Sequence, residues 1–161
     1  KLNHPWRLYC MLYAFIMFAY SYGCVYGAFT RSDVWDKVSH FLSGFVFTIV
    51  GMCMYYWLAG AKPGGLKQDA WLAATYGLFF SMFIAVMWEV TEYFDFKFTG
   101  NDSQNHLTTG VMDTMQDLMA GLLASSISAA AFILFKYTKA KLLTAAVVEE
   151  FYEKNAREKT K

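Results

Sequence analysis

The sequence predicts an all-α fold: a polytopic membrane protein with four transmembrane helices in one bundle and a C-terminal amphipathic interfacial helix. Three observations carry this expectation. The 161 residues are 57% hydrophobic and 19% aromatic, with two prolines, a composition outside the range of ordinary soluble domains. Four apolar runs reach the ~20 residues that a helix needs to cross a hydrocarbon core. Trp6, Trp35, Trp57, Trp71 and Trp88 each fall near an end of one of these runs, where an amphipathic ring suits the membrane–water boundary.

The first run, Trp6 to Phe29, carries Tyr9, Tyr13, Tyr20, Tyr22 and Tyr26, and its Gly23 and Gly27 form a small-xxx-small pair. It is too long for a signal peptide and lacks a small-residue cleavage site, so it reads as a span; Lys1 is not a start methionine. The second run extends from Val34 to Ala59, the third from Ala70 to Phe94 and the fourth from Val111 to Phe135. Punctuation separates them at Thr30–Asp33, at Gly60-Ala61-Lys62-Pro63-Gly64-Gly65 and over the polar stretch Thr99–Gly110. Residues 1–135 therefore form a four-helix transmembrane domain and residues 136–161 a cytoplasmic amphipathic tail. In the tail Leu143, Val147 and Phe151 recur at helical spacing beside Glu150–Lys154 and Glu153–Arg157 pairs, the pattern of a helix lying on the inner membrane face.

The basic residues orient the bundle. With the amino terminus cytoplasmic, Lys1, Arg7, Lys62, Lys67, Lys136, Lys139, Lys141, Lys154, Arg157, Lys159 and Lys161 lie inside. Only Arg31, Lys37 and Lys97 lie outside, so the count is eleven against three of the fourteen Lys and Arg. That bias places both termini in the cytoplasm. A net charge of +1 offers nothing to nucleic acid. Cys10, Cys24 and Cys53 lie inside apolar runs, where thiols pack as small hydrophobes.

With this topology, acidic and histidine residues collect at the outer ends of three helices. A charge at membrane depth costs at least about 2.5 kcal/mol, so each close pair is a functional candidate. Glu89 and Glu92 end the third helix; Asp36 with His40, and Asp113 with Asp117, open the second and fourth at a spacing that puts each pair on one face. His106 sits in the connection between the third and fourth helices. Small residues line the same faces: Gly44, Thr48 and Gly51; Ala85, Ser81 and Gly77; Gly121, Ala124, Ser125 and Ser128. Such stripes let membrane helices approach closely.

Carboxylates held together need a counter-charge. Lys37 and Arg31 are the nearby cations in sequence. A divalent metal on His40, Glu92, Asp113 and Asp117 resolves the repulsion as well, and the nitrogen–oxygen ligand set suits zinc, manganese or iron better than magnesium. Glu89 is then the candidate general base for ester or phosphoester hydrolysis, with Asp36 and His106 completing the polar pocket. Structural roles stand beside these: Asp36 and Asp113 as helix caps, His40 as a hydrogen-bonded interface residue, His106 as a solvated loop residue. A haem is not expected, because His40 is the only histidine within a predicted span. No nucleotide is expected either.

The series Asp36-Lys37-Val38-Ser39-His40, Trp88-Glu89 to Glu92-Tyr93-Phe94-Asp95, and Asp113-Thr114 to Asp117-Leu118 with Gly121 resembles the VanZ-like membrane proteins and the related YjdF-type family. The resemblance covers about residues 33 to 130, and the Glu-x-x-Glu pair is nearer the YjdF-type version. It implies a multi-pass protein of the bacterial cytoplasmic membrane with a site facing the envelope, and it implies no reaction. Two functions follow from the site. One is a metal-dependent membrane hydrolase or transferase acting on a lipid or lipid-linked envelope substrate. The other is a non-enzymatic binder or accessory subunit that holds an envelope precursor, an antibiotic or a partner membrane subunit. Proton or ion transport ranks behind both, because the acidic groups cluster at one end.

Overall fold

The computed structural model describes residues 3, 5–25, 33–60 and 67–156. The end of the first apolar run at Phe29, Gly27, Arg31, most of the first two connections and the Arg157 partner of Glu153 lie outside them. The described residues form α1 (Trp6–Ile16), which continues as a π-helix over Met17–Val25, then α2 (Asp33–Ala59), α3 (Lys67–Thr99), α4 (Met112–Thr138) and α5 (Leu143–Ala156). A single helical turn, His106–Thr109, lies between α3 and α4.

Three of these helices, α2, α3 and α4, are long and apolar enough to cross a membrane. At ~1.5 Å per residue, the 27 residues of α2 and α4 and the 33 residues of α3 all exceed a hydrocarbon core of about 30 Å. Each of the three packs against the other two. Their close approach depends on missing side chains. A Cβ on Gly44 would meet the backbone of Gly121, one on Gly51 would sit 2.8 Å from the Gly77 Cα, and one on Gly77 would sit 2.5 Å from the Thr48 carbonyl oxygen. Every member of the small-residue stripes read from the sequence is buried. The Gly44 carbonyl accepts hydrogen bonds from the hydroxyls of Thr48 (2.7 Å), Ser81 (3.0 Å) and Ser125 (3.2 Å), which ties the three helices at one point.

The first segment behaves differently from a fourth core helix. None of α1 is buried. Its α-helical part is 11 residues long and continues without a break as nine residues of π-helix. Aromatic contacts hold it to α2: Phe15 meets Phe47 edge-on at 5.9 Å and Phe18 stacks on Trp35 at 4.2 Å. Cys10 is exposed on α1, unlike Cys53, which packs in the core as expected.

α5 folds back onto α2, α4 and α1. Val147, Val148, Ala145 and Phe151 join Tyr56, Met52, Ile49 and Phe132 in one apolar cluster. The expected stripe is thus rotated: Leu143 is exposed, and Thr144 and Val148 are buried in its stead. A clasp fixes α1 to α5. The Glu150 carboxylate accepts from the Trp6 (2.8 Å) and Arg7 (3.4 Å) amides, two of the orphan donors at the start of α1, while Asn3 and Asn155 exchange hydrogen bonds beside them.

Candidate functional site

The ends of α2, α3 and α4 that carry Asp36, Glu89 and Asp113 converge on a buried charged cluster. Its geometry follows from helical spacing and from the small residues one turn further along each helix, Gly44, Ala85 and Gly121, which bring the backbones near enough for short acidic side chains to meet. Glu89 is 5% exposed and Asp117 2%, and His40 and Asp113 are buried with them.

Lys37 occupies one side of the cluster. Its ammonium donates to Asp113 Oδ1 at 2.5 Å and Asp117 Oδ2 at 2.9 Å, and reaches Asp36 Oδ2 at 3.4 Å. His40 occupies the other side. Its Nε2 lies 3.7 Å from Asp36 Oδ1, 3.9 Å from Glu89 Oε1 and 4.0 Å from Asp117 Oδ1, one carboxylate from each of the three helices. These distances are too long for hydrogen bonds. The loop between α3 and α4 closes the cluster with amides. Gln104 Nε2 donates to Glu89 Oε2 (2.9 Å) and to the Glu89 carbonyl (3.0 Å), and Asn105 Nδ2 donates to Asp113 Oδ2 (3.0 Å).

Within the cluster, two buried oxygens make no hydrogen bond among the described residues: Glu89 Oε1 and Asp117 Oδ1. The Lys37 ammonium is 2.8 Å from Asp117 Oδ1 but directs its hydrogen bond to Oδ2. Leaving a buried acceptor unmet costs about 1–3 kcal/mol, more for a charged one. Of the two, Glu89 Oε1 has no Lys or Arg in contact among the described residues and lies 3.9 Å from His40 Nε2.

The expected site residues divide accordingly. Asp36, His40 and Asp117 offer ligand atoms that all lie within 4.8 Å of one another, the grouping best placed to hold a cation. Glu89 stands beside them. Asp113 is committed to Lys37 and Asn105. Glu92 is half-buried and accepts from its own helix, from Trp88 Nε1 at 3.0 Å. His106 is not brought into the cluster: it is exposed, its ring lies 6.1 Å from that of Phe96, and Asp102 caps its amide at 2.8 Å. The residue before it turns the chain away, since Asn105 has φ 50° and ψ 27°.

Gln104 and Asn105 are functional neighbours that sequence reasoning missed. A signal for them existed, because neutral amides in a loop between two acid-bearing helices are the donors that buried carboxylates need. Lys37 was visible as a nearby cation, but its hold on two helices at once was not.

Spacing supports a cation at the His40 side. In a tetrahedral site with bonds of about 2.0–2.1 Å, neighbouring ligand atoms stand roughly 3.3–3.4 Å apart. The observed 3.7–4.0 Å from Nε2 to the three carboxylates lies a few tenths of an ångström above that, and the ligand atoms of Asp36, His40 and Asp117 all lie within 4.8 Å of one another. Glu89 Oε1, buried without a hydrogen bond, and Asp117 Oδ1, shared with Lys37, supply negative charge to such an ion.

Beneath the cluster the three helices pack closely. Gly44 lies directly against the Gly121 backbone, and a Cβ on Gly121 would sit 3.9 Å from the Ala85 methyl. The next polar groups along the helices are hydroxyls already engaged: Ser43 donates to the His40 carbonyl, and Thr48, Ser81 and Ser125 donate to the Gly44 carbonyl.

No curated protein and no solved structure matches the chain. A family does, over a stretch that takes in the whole cluster and ends at the last residue of α4. The chain belongs to the family described as "Predicted membrane protein (DUF2238)", which its residues 2–138 match.

Proposed function

We propose that the cluster is a divalent-cation centre of a membrane hydrolase or transferase, facing the envelope side of a bacterial cytoplasmic membrane and acting on a lipid or lipid-linked substrate. The observation that carries it is the convergence of His40 Nε2, Asp36 Oδ1 and Asp117 Oδ1 with an unpaired, buried Glu89 Oε1 beside them. His40, Asp36 and Asp117 are the ligands in this reading, with zinc, manganese or iron suited to the set. A bound divalent ion would supply Lewis acidity and a water acidified toward neutrality. Glu89 takes the proton of the attacking water through Oε1, while Gln104 fixes the carboxylate through Oε2. Lys37 and Asn105 hold Asp113, and that pair keeps the outer ends of α2 and α4 in register.

The outward orientation rests on the distribution of Lys and Arg and on the likeness of the motif order to VanZ-like and YjdF-type proteins. A fourth crossing by the first segment and a membrane-surface position for α5 belong to the same reading. The close packing of Gly44 against Gly121 beneath the cluster speaks against a conducting path.

Reconstituted protein with Mn²⁺ or Zn²⁺ should cleave a lipid-linked ester or phosphoester, and Glu89→Gln should lower turnover by about 10²- to 10⁴-fold while metal stays bound. Equal turnover with and without metal would overturn the reading. One observation favours a binder instead: the acids already grip an ammonium, that of Lys37. Stoichiometric binding of a cationic ligand without turnover would establish that alternative.

A further inference from the structure

Two of the three groups in the cation centre, Asp36 and Asp117, are also partners of Lys37. The overlap is atomic at one point. Asp117 Oδ1 lies 4.0 Å from His40 Nε2 and 2.8 Å from the Lys37 ammonium. A divalent ion and Lys37 therefore draw on the same negative charge.

We propose that Lys37 is an exchangeable counter-ion that becomes the phosphate-binding group of the site when a divalent cation is held. This rests on the cation centre proposed above and goes on to name the substrate class, a phosphate ester. An ammonium has three N–H donors. Here they are directed at Asp113, Asp117 and Asp36, with the contact to Asp36 the longest at 3.4 Å. A cation on Asp36 and Asp117 neutralises both carboxylates and repels the ammonium. Asp113 lies outside the ligand grouping and keeps its own hold on Lys37, backed by Asn105. Lys37 then pivots on Asp113 with two donors released. Its side chain is 24% exposed, the access that an incoming group requires. A divalent cation on Asp36 and Asp117 and an ammonium held by the neighbouring Asp113 present two positive charges side by side, the pattern that grips two oxygens of one phosphate.

The same geometry predicts linkage. Lys37 opposes cation binding without phosphate, and phosphate relieves that opposition by giving the ammonium a new partner. By thermodynamic reciprocity the cation tightens phosphate by the factor that phosphate tightens the cation.

The test uses the full chain in phosphatidylcholine nanodiscs, with free Mn²⁺ followed by electron paramagnetic resonance and inorganic phosphate as the first probe. Mn²⁺ affinity should rise about tenfold on adding phosphate. Lys37→Met should bind Mn²⁺ about tenfold more tightly than the parent without phosphate, and should lose the phosphate effect. Lys37→Arg should keep it. In a second arm, phosphatidic acid in the nanodisc should tighten Mn²⁺ without added phosphate if a lipid headgroup is the source; an effect of inorganic phosphate alone identifies the free ion. Lys37→Met leaves Asp113 unpaired, so a second variant, Lys37→Met with Asp113→Asn, removes that charge and is read in the same way. Unchanged or weaker Mn²⁺ binding in both variants, or a phosphate effect that survives in them, overturns the role of Lys37 while leaving the cation centre standing. Failure of parent and variants alike to bind Mn²⁺ overturns the centre itself, and this inference with it.

Discussion

The two ends of the α2–α3–α4 bundle are built by the same helices and filled in opposite ways. At one end Tyr56, Met52, Ile49 and Phe132 meet Val147, Val148 and Phe151 of α5, an apolar cluster with its side chains in mutual contact. At the other, the carboxylates of Glu89, Asp113 and Asp117 and the His40 imidazole are buried beside the part-exposed Asp36 and Lys37. Stability alone explains the first end, because burying apolar area and tight packing lower the free energy of the fold. It does not explain the second. Buried charge costs more than an apolar replacement of equal volume, so the charged end is where a function draws on the stability supplied elsewhere.

Substitutions can separate the ends. The largest effect is expected where both depend on one contact. Gly44→Leu would force a side chain into the Gly121 backbone, and no rotamer avoids it. The expected outcome is loss of folded protein, read as loss of the monodisperse peak in detergent chromatography. Recovery of a normal peak would show that the helices can spread.

Phe132→Ala should come next, with a loss of about 3–5 kcal/mol from the void left in the apolar cluster. Denaturant titration in detergent measures it. Divalent-ion stoichiometry should be unchanged, so a simultaneous loss of metal would mean that the ends are coupled. Asp117→Asn should do the reverse. It keeps the shape, leaves Lys37 with Asp113 and Asp36, and costs about 1–3 kcal/mol, yet it should abolish metal binding.

The smallest effect belongs to the clasp of α1 on α5. Burial alone would raise the Glu150 carboxyl, but the Lys154 side chain and the Trp6 and Arg7 amides together outweigh burial and hold it below its usual value. Its contribution is therefore fully present above the unfolded carboxyl value of about 4.3 and is lost as pH falls through the lower folded value. Glu150→Gln should cost about 1 kcal/mol or less at neutral pH. Because the variant carries no carboxylate there, its difference from the parent should vanish in acid. A difference that persists there would assign the clasp to packing rather than charge.

How far the sequence revealed each end depends on the kind of contact. Stripes such as Gly44–Thr48–Gly51 and Gly121–Ser125–Ser128 are legible because helical period alone puts them on one face, and all are buried as expected. Asp36, His40, Glu89, Asp113 and Asp117 are legible for the same reason. What the period does not carry is the reach of long side chains and the path of loops. Lys37 lies one position from Asp36, yet its four-carbon stem takes the ammonium across to α4. The left-handed turn at Asn105 sends His106 out and leaves Gln104 and Asn105 on the cluster. Tertiary contacts also decide α5, where docking buries Thr144 and Val148 in place of Leu143. In α1 the π-helical turns over Met17–Val25 have no marker in an apolar tyrosine-rich run.

The central claim is that the charged end exists to hold a cation. Elemental analysis of the detergent-purified full chain tests it most directly, with His40→Ala and Asp117→Asn beside the parent. One divalent ion per chain in the parent and none in either variant is the predicted result. No ion in the parent after equilibration with zinc, manganese and iron, or an ion retained in both variants, would contradict it.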